Sequence, residues 1–350
     1  MQVNNILVIG NYGAGNIGDD LLKDACVKGL RSVFYDAGIV TMGPRADVPL
    51  PPAGIMSTIK LNWFKARKAM KKADLIVFGG GGLFNPEVPY SMFVWGNALK
   101  MANKLNKPVV MLGQSFPDYN IGSLKGVLLR SEFITVRDSL SEKVLAKLDT
   151  ETPVKLTTDL VFGLNFDTEY EFASDFEEYA CINLRSYKSL KDEDVLDVAK
   201  EIVEKLLKET SLGFYLVPFA SEDRKILNKL AGMYAETGRF KVLEFEHNLV
   251  LAALKNCKGI VSERLHPLIV GAIMQKPIYA LSYNTKVEGF MADMALPEYC
   301  YDLKSGSEVV FDGFSDDMVI DSSILQEAKD KTKSNYELLK VLVDDLVSTG

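Results

Sequence analysis

One stretch limits the fold more than any other. Residues 258–261 read as the end of a buried strand that leads into Ser262-Glu-Arg-Leu-His-Pro267, continues with small, apolar residues at helical spacing to Gln275, and returns as an apolar run at 277–281. Two strand-like runs joined by a helix make a βαβ unit, and its strands lie parallel because a crossover brings the chain back to the same end. A parallel sheet must be covered on both faces, so the rest of the chain has to supply further strands and helices in alternation. Pro267 suits the first helical turn, where its missing N–H costs nothing. Glu263, Arg264, Leu265 and His266 therefore fall where a strand ends and a helix begins. Ligands of open α/β sheets sit at that edge, and the free N–H groups of the helix attract an anion. Arg264 is always charged there, and His266 takes up a proton near neutral pH.

The alternation runs along nearly the whole chain. Strands are expected at 6–9, 39–42, 74–78, 108–112, 133–136 and 154–156, with helices at 19–34, 59–73, 91–105, 124–130 and 140–148. An acidic and aromatic stretch, 165–178, breaks the pattern and is expected as a linker between an N-terminal domain of 1–164 and a C-terminal domain of 179–322. The second set has strands at 179–184, 213–217 and 241–243, helices at 192–209, 222–236 and 249–255, and then the Arg-Leu-His turn. Residues 323–350 close the chain as a helix, with Ile324, Ala328, Tyr336, Leu339 and Leu346 spaced to pack. A chain of 350 residues with 47% hydrophobic content can fill two cores. The fold class is α/β, with two Rossmann-like, doubly wound parallel-sheet domains.

Charge and composition exclude some partners. A net charge of −7 leaves no domain-wide basic excess for nucleic acid. No apolar run approaches a membrane span, and the first residues lead straight into a strand, so a cytoplasmic protein is expected. Cys26, Cys181, Cys257 and Cys300 lack the close pairs that zinc needs and read as buried thiols. One helix face carries Lys60, Lys65, Arg67, Lys68, Lys71 and Lys72 with no acid between them. A solvated face is the plain reading. The other is peripheral contact with an anionic membrane surface, at its inner face.

Two glycine clusters follow strands. Gly13-Ala-Gly15-Asn-Ile-Gly18 has the dinucleotide spacing, but the acid needed after the second strand is missing; that strand ends Met42-Gly-Pro-Arg45, and Asp36 precedes it. A nicotinamide site is therefore disfavoured. The glycines either permit a tight turn or shape a loop that brings Asn16, Asp19 and Asp20 to a sugar. Gly80 and Gly81 lie in a run of four glycines, which either needs positive φ or lets a phosphate or sugar approach the backbone. No Lys-Ser/Thr pair follows, which rules out a P-loop. Arg185, at the end of a strand, suits a two-pronged bond to a carboxylate or phosphate, or else a surface ion pair. Of the two histidines, His247 reads as structural at a helix entry.

Arg264-Leu265-His266 with its apolar helix, Leu281-Ser-Tyr, Lys286-Val and Gly289-Phe-Met resemble the polysaccharide pyruvyl transferase family. Gly10-Asn-Tyr-Gly-Ala-Gly-Asn-Ile-Gly-Asp-Asp20, Val77-Phe-Gly-Gly-Gly-Gly82 and Val136-Arg-Asp-Ser139 agree with it in order, so the resemblance covers about residues 6–294. It implies a glycosyltransferase-B-like fold, its two domains facing across a cleft and its last helix crossing back to the first. The reaction it implies belongs to exopolysaccharide or cell-wall polysaccharide biosynthesis: pyruvyl transfer from phosphoenolpyruvate to two hydroxyls of a sugar, giving a cyclic ketal and phosphate. The acceptor is a saccharide, lipid-linked in some members, and no metal or organic cofactor is required. His266 would protonate the donor's methylene carbon, Arg264 and Arg185 would bind its charged groups, and Lys286 would meet the leaving phosphate. Asp19 or Asp20 would serve the acceptor, with Asn16, Gly80, Gly81 and Leu265 lining the site. Glu263 and Ala220 depart from the family pattern, the first by placing a carboxylate beside an anion site. A nucleotide-sugar-dependent glycosyltransferase of the same fold and a non-catalytic saccharide-binding protein are the alternatives; the second gives Arg264 and His266 no evident use.

Overall fold

The computed structural model describes residues 3–50, 56–85, 89–118, 125, 128, 131–148, 151–166, 172–187 and 190–348. The chain divides into two compact units, one of Met1–Leu164 with Glu327–Gly350 and one of Asn165–Gln326.

In unit 1 the described strands are β1 (Asn5–Ile9), β2 (Gly38–Gly43), β3 (Val48–Pro49), β4 (Leu75–Gly81), β5 (Val109–Gln114), β6 (Phe133–Val136) and β7 (Val154–Leu156). They form one parallel sheet in the order β3-β2-β1-β4-β5-β6-β7. Every residue of β4 and β5 is buried. That is why these strands read as continuous apolar runs: helices cover both faces of a parallel sheet. The helices are α1 (Ile17–Val33), α2 (Met56–Lys72), α3 (Pro89–Lys104) and α4 (Ser139–Ala146). The helix expected at 124–130 lies outside the described residues except for Lys125 and Leu128. β3 escaped the sequence reading because two residues in a Pro-rich loop show no period. From β1 the chain moves outward to β2 and β3, then crosses to β4 on the other side, which makes β1/β4 the switch point of this sheet.

Unit 2 repeats the plan with β8 (Tyr179–Asn183), β9 (Gly213–Leu216), β10 (Phe240–Val242), β11 (Ile260–Ser262), β12 (Ile278–Ser282) and β13 (Cys300–Asp302). Its order is β10-β9-β8-β11-β12-β13, again parallel, with the switch point between β8 and β11. Helices α5 (Asp192–Glu209), α6 (Arg224–Met233), α7 (His247–Asn256), α8 (Leu265–Ile273) and α9 (Thr285–Asp293) cover it. β13, three residues long, was not expected from the sequence. Three cysteines are buried thiols, whereas Cys300 at the start of β13 is only half-buried.

Of the stretch expected as a linker, residues 172–178 pack on unit 2. The Phe172 and Phe176 rings stand 5.0 and 5.1 Å from the ring of Tyr215, and Asp175 accepts hydrogen bonds from Tyr215 Oη and Lys241 Nζ. Phe172 and Phe176 thus pack on Tyr179 and Tyr215 of the inner strands β8 and β9, which accounts for the aromatic composition that broke the alternation. The closing helix α10 (Ser322–Ser348) joins unit 1 from Glu327 onward. There Tyr336 donates to Ala25 O at 3.2 Å, and Gly29 of α1 leaves room for its ring. Buried Asn335 accepts from Thr157 Oγ1 at 3.2 Å and from Thr135 Oγ1. Burying a ring such as that of Tyr336 is worth about 1.5–3 kcal/mol.

Candidate active site

At the switch point of unit 2 the segments after β8 and β11 meet. Arg264 is the N-cap residue of α8, and Leu265 and His266 form its first turn, both partly exposed. Arg185 lies two residues beyond β8 and Lys286 in the first turn of α9. One edge thus carries the predicted donor residues, brought there by neighbouring strands.

The side chains are held by a buried polar network. Arg264 Nε donates to Asp223 Oδ2 at 2.7 Å and Oδ1 at 3.0 Å; its Nη2 donates to Asp223 Oδ1 at 2.6 Å and Glu222 Oε1 at 3.0 Å. None of these bonds uses Nη1. Burial opposes the charge of Arg264, yet Asp223 and Glu222 outweigh it and hold the pKa above the ordinary guanidinium value. Asp223, 0% exposed, also accepts from the backbone N–H groups of Phe219 and Ala220 and from Asn183 Nδ2. Arg264 is therefore held in large part by Asp223, through bonds that leave out its Nη1.

Arg185 is differently placed. Its Nη1 donates to Tyr283 Oη at 2.9 Å, and its guanidinium lies 5.1 Å from the Tyr187 ring centroid and 5.3 Å from that of Tyr283. Its backbone N–H is accepted by Glu263 Oε2 at 2.9 Å. Arg185 is thus in an aromatic cradle, where cation–π contact holds the charge and no carboxylate among the described residues pairs with its fork. Burial pushes the Glu263 carboxyl up to about 7, against the Arg185 N–H and the charges of Arg185 and Arg264. Asn183, Glu222, Asp223 and Tyr283 were missed in the sequence. A polar residue inside the apolar run Cys181-Ile-Asn-Leu184, and two acids at a turn after a strand, were the available signals.

At the switch point of unit 1 the expected residues mostly hold the loop itself. Asn16 caps α1 by accepting from Gly18 N at 2.9 Å, Asp20 Oδ1 accepts from Gly13 N at 2.8 Å, and Asp19 Oδ2 accepts from Asn11 Nδ2 at 2.9 Å. Gly80 and Gly81 have φ of +83° and +85°, and a Cβ on Gly80 would stand 2.8 Å from Leu22 Cδ2. Both glycines are buried, so the run serves backbone conformation and close packing against α1. The Val-Arg-Asp-Ser segment is also structural: Asp138 caps α4, and Arg137 Nη1 pairs with Asp159 at 2.6 Å. His247 begins α7, as expected of a structural residue at a helix entry.

Residues 16–285 match the family model described as Polysaccharide pyruvyl transferase. The chain belongs to this family. The family's activity is pyruvyl transfer to a polysaccharide, and the chain is accordingly a pyruvyl transferase. The match takes in Asn16, Asp19, Asp20, Gly80, Gly81, Arg185 and the Glu263–His266 turn, and ends one residue before Lys286. No curated protein sequence matches the chain. The solved structure of UDP-GlcNAc 2-epimerase from Neisseria meningitidis bound to UDP-GlcNAc is 12% identical over 99% of this chain and 100% of that one, with a TM-score of 0.59. The UDP-GlcNAc 2-epimerase from Methanocaldococcus jannaschii in complex with UDP-GlcNAc and UDP is also 12% identical, over 97% and 99% of the two chains, at 0.57. Identity this low shows fold alone, two parallel-sheet α/β domains of the glycosyltransferase-B-like kind. No helix among the described residues is long and apolar enough to cross a membrane.

Proposed function

We propose that the chain transfers the pyruvyl group of phosphoenolpyruvate to two hydroxyls of one sugar in a polysaccharide or its precursor, in the cytoplasm, forming a cyclic ketal and releasing phosphate. The observation that carries this reading is the pair Arg185 and Arg264, which follow neighbouring strands β8 and β11 at a switch point. Phosphoenolpyruvate has a carboxylate and a phosphate, and arginine binds either with two N–H arms. Arg185, stacked on tyrosines, supplies the principal fork, and Arg264 adds the Nη1 that its bonds to Asp223 do not use. Leu265 lines the donor side between Arg264 and His266.

Protonated His266 delivers its proton to the methylene carbon of the donor. The adjacent carbon, now electron-poor, takes the oxygen of the first sugar hydroxyl, whose proton passes to Asp19 or Asp20. Attack by the second hydroxyl and departure of phosphate toward Lys286 close the ketal, with that hydroxyl's proton released to base or solvent. The unit 1 loop, shaped by Asn16, Gly80 and Gly81, serves the acceptor in this reading. A lipid-linked acceptor would suit the exposed basic face of α2, where Lys65, Arg67, Lys68, Lys71 and Lys72 surround exposed Phe64. The side chain of Lys60 lies outside the described residues.

The test is phosphate release from phosphoenolpyruvate with a panel of saccharides, run beside UDP-sugars as donors. Acceptor-dependent release is expected. Transfer from a UDP-sugar with no phosphate released from phosphoenolpyruvate would replace the reading by glycosyl transfer. Saccharide binding with neither reaction would replace it by a non-catalytic binding protein.

A further inference from the structure

Glu263 sits between β11 and Arg264, and it is 0% exposed. Its Oε2 accepts the Arg185 backbone N–H, while its Oε1 is buried with no hydrogen-bond partner among the described residues. The Nε of Arg185 is also buried and without a partner there. A bare oxygen costs a buried carboxylate far more than a buried carboxylic acid, because desolvation penalises the charge. The charged groups bearing on Glu263 are Arg185 after β8, Arg264 in its own turn, and Asp223 after β9. The arginines favour the ionised form and Asp223 opposes it, and burial outweighs the arginines to set the carboxyl at about 7. An anion arriving at this edge brings more negative charge and draws on Arg185, so both changes push Glu263 further toward its neutral form.

We infer that binding of the anionic donor is coupled to uptake of a proton by Glu263, which acts as a positioning residue: as a neutral acid it keeps the Arg185 N–H in place without repelling the donor. The inference rests on the reading of this edge as the phosphoenolpyruvate site. Its sign is fixed by linkage. Well below pH 7 Glu263 already holds its proton, and binding takes up none. Above about pH 7 the free enzyme has lost it, so binding must restore it, and affinity falls by up to about tenfold per pH unit until the bound-state pKa is passed. The donor's own phosphate does not interfere, since its second proton leaves near pH 6.

The experiment is calorimetry of phosphoenolpyruvate binding to the full chain between about pH 7 and 9, in buffers of different ionisation heat, which counts protons taken up. Glu263→Gln keeps an acceptor for the Arg185 N–H and cannot titrate. Wild type should show proton uptake at Glu263 that rises above pH 7 and peaks between the free and bound titrations; Glu263→Gln should lose that share and its part of the pH dependence, whereas His266→Gln should keep it. Equal uptake by wild type and Glu263→Gln would overturn the inference. So would a wild-type infrared difference spectrum at pH about 8 that gains no protonated-carboxyl band on binding, a measurement that needs no variant to fold. Failure of wild type to bind phosphoenolpyruvate at all would overturn the donor reading first, and the inference with it.

Discussion

The two switch points occupy the same position in two sheets of the same kind, yet they are built from different materials. In unit 1 the edge is glycine and backbone: positive φ at Gly80 and Gly81, and acids whose oxygens hold N–H groups of the loop. In unit 2 it is charge: Arg185 on tyrosines, Arg264 on Asp223, and a buried Glu263. A backbone edge offers shape and neutral hydrogen-bonding groups, whereas a charged edge repays desolvation only when a ligand of opposite charge arrives. In the proposed reaction this difference suits the anionic donor to unit 2 and the neutral sugar to unit 1. Changes at one edge should leave the affinity of the other edge's ligand intact.

The largest effect is expected at His266. His266→Gln keeps a polar side chain of similar reach but delivers no proton near neutral pH, so turnover should fall about 10²–10⁴-fold with phosphoenolpyruvate affinity retained. Rate at saturating donor should fall in wild type as pH rises through the histidine's titration, and the variant should lack that limb. This separates His266 from Glu263, whose titration is read in donor affinity. A variant with near-normal turnover would move the proton donor elsewhere.

Next comes the ion pair beneath the charged edge. Arg264→Ala leaves Asp223 buried without its partner, and breaking a buried pair costs on the order of 3–5 kcal/mol of stability, measurable by urea unfolding. Arg264→Met combined with Asp223→Asn removes both charges while keeping a carbonyl oxygen for the N–H groups of Phe219 and Ala220, and should recover part of that loss. The pair of variants sharpens the comparison. If the double variant also recovers donor affinity, Arg264 serves the fold alone and Arg185 carries the donor.

Much of this was legible in the sequence because parallel sheets write themselves as buried runs between helical periods. The strands β4, β5, β8 and β12, buried at every position, and the turn at 262–267 were of that kind. What stayed hidden depends on partners far apart in the chain. Asp223 meets Arg264 across 41 positions, and Glu263 meets the Arg185 N–H across 78, so neither spacing nor composition announces them. The acids that hold Arg264 stayed hidden because an isolated turn shows no counter-charge. The packing of the glycine run stayed hidden for the same reason, since Leu22 against Gly80 is visible only once α1 is packed.

The smallest effect, and the one that tests the unit 1 half of the comparison, is expected at Asp19 and Asp20. Asp20 Oδ1 accepts from Gly13 N and Asp19 Oδ2 from Asn11 Nδ2, both bonds lying within the loop that precedes and opens α1. Asparagine in either place keeps a carbonyl oxygen able to accept the same bond, so the loop should hold its shape and stability should change little. What asparagine removes is the negative charge that, in the proposed reaction, orients a sugar hydroxyl and takes its proton. With a saccharide acceptor present, turnover should drop about 10–100-fold, the worth of a hydrogen bond to a charged group. Calorimetric affinity for phosphoenolpyruvate should stay within about twofold of wild type, because no donor-binding charge has changed. If donor affinity instead falls in step with the rate, the acids act on the donor, and the division of labour between a backbone edge and a charged edge is wrong.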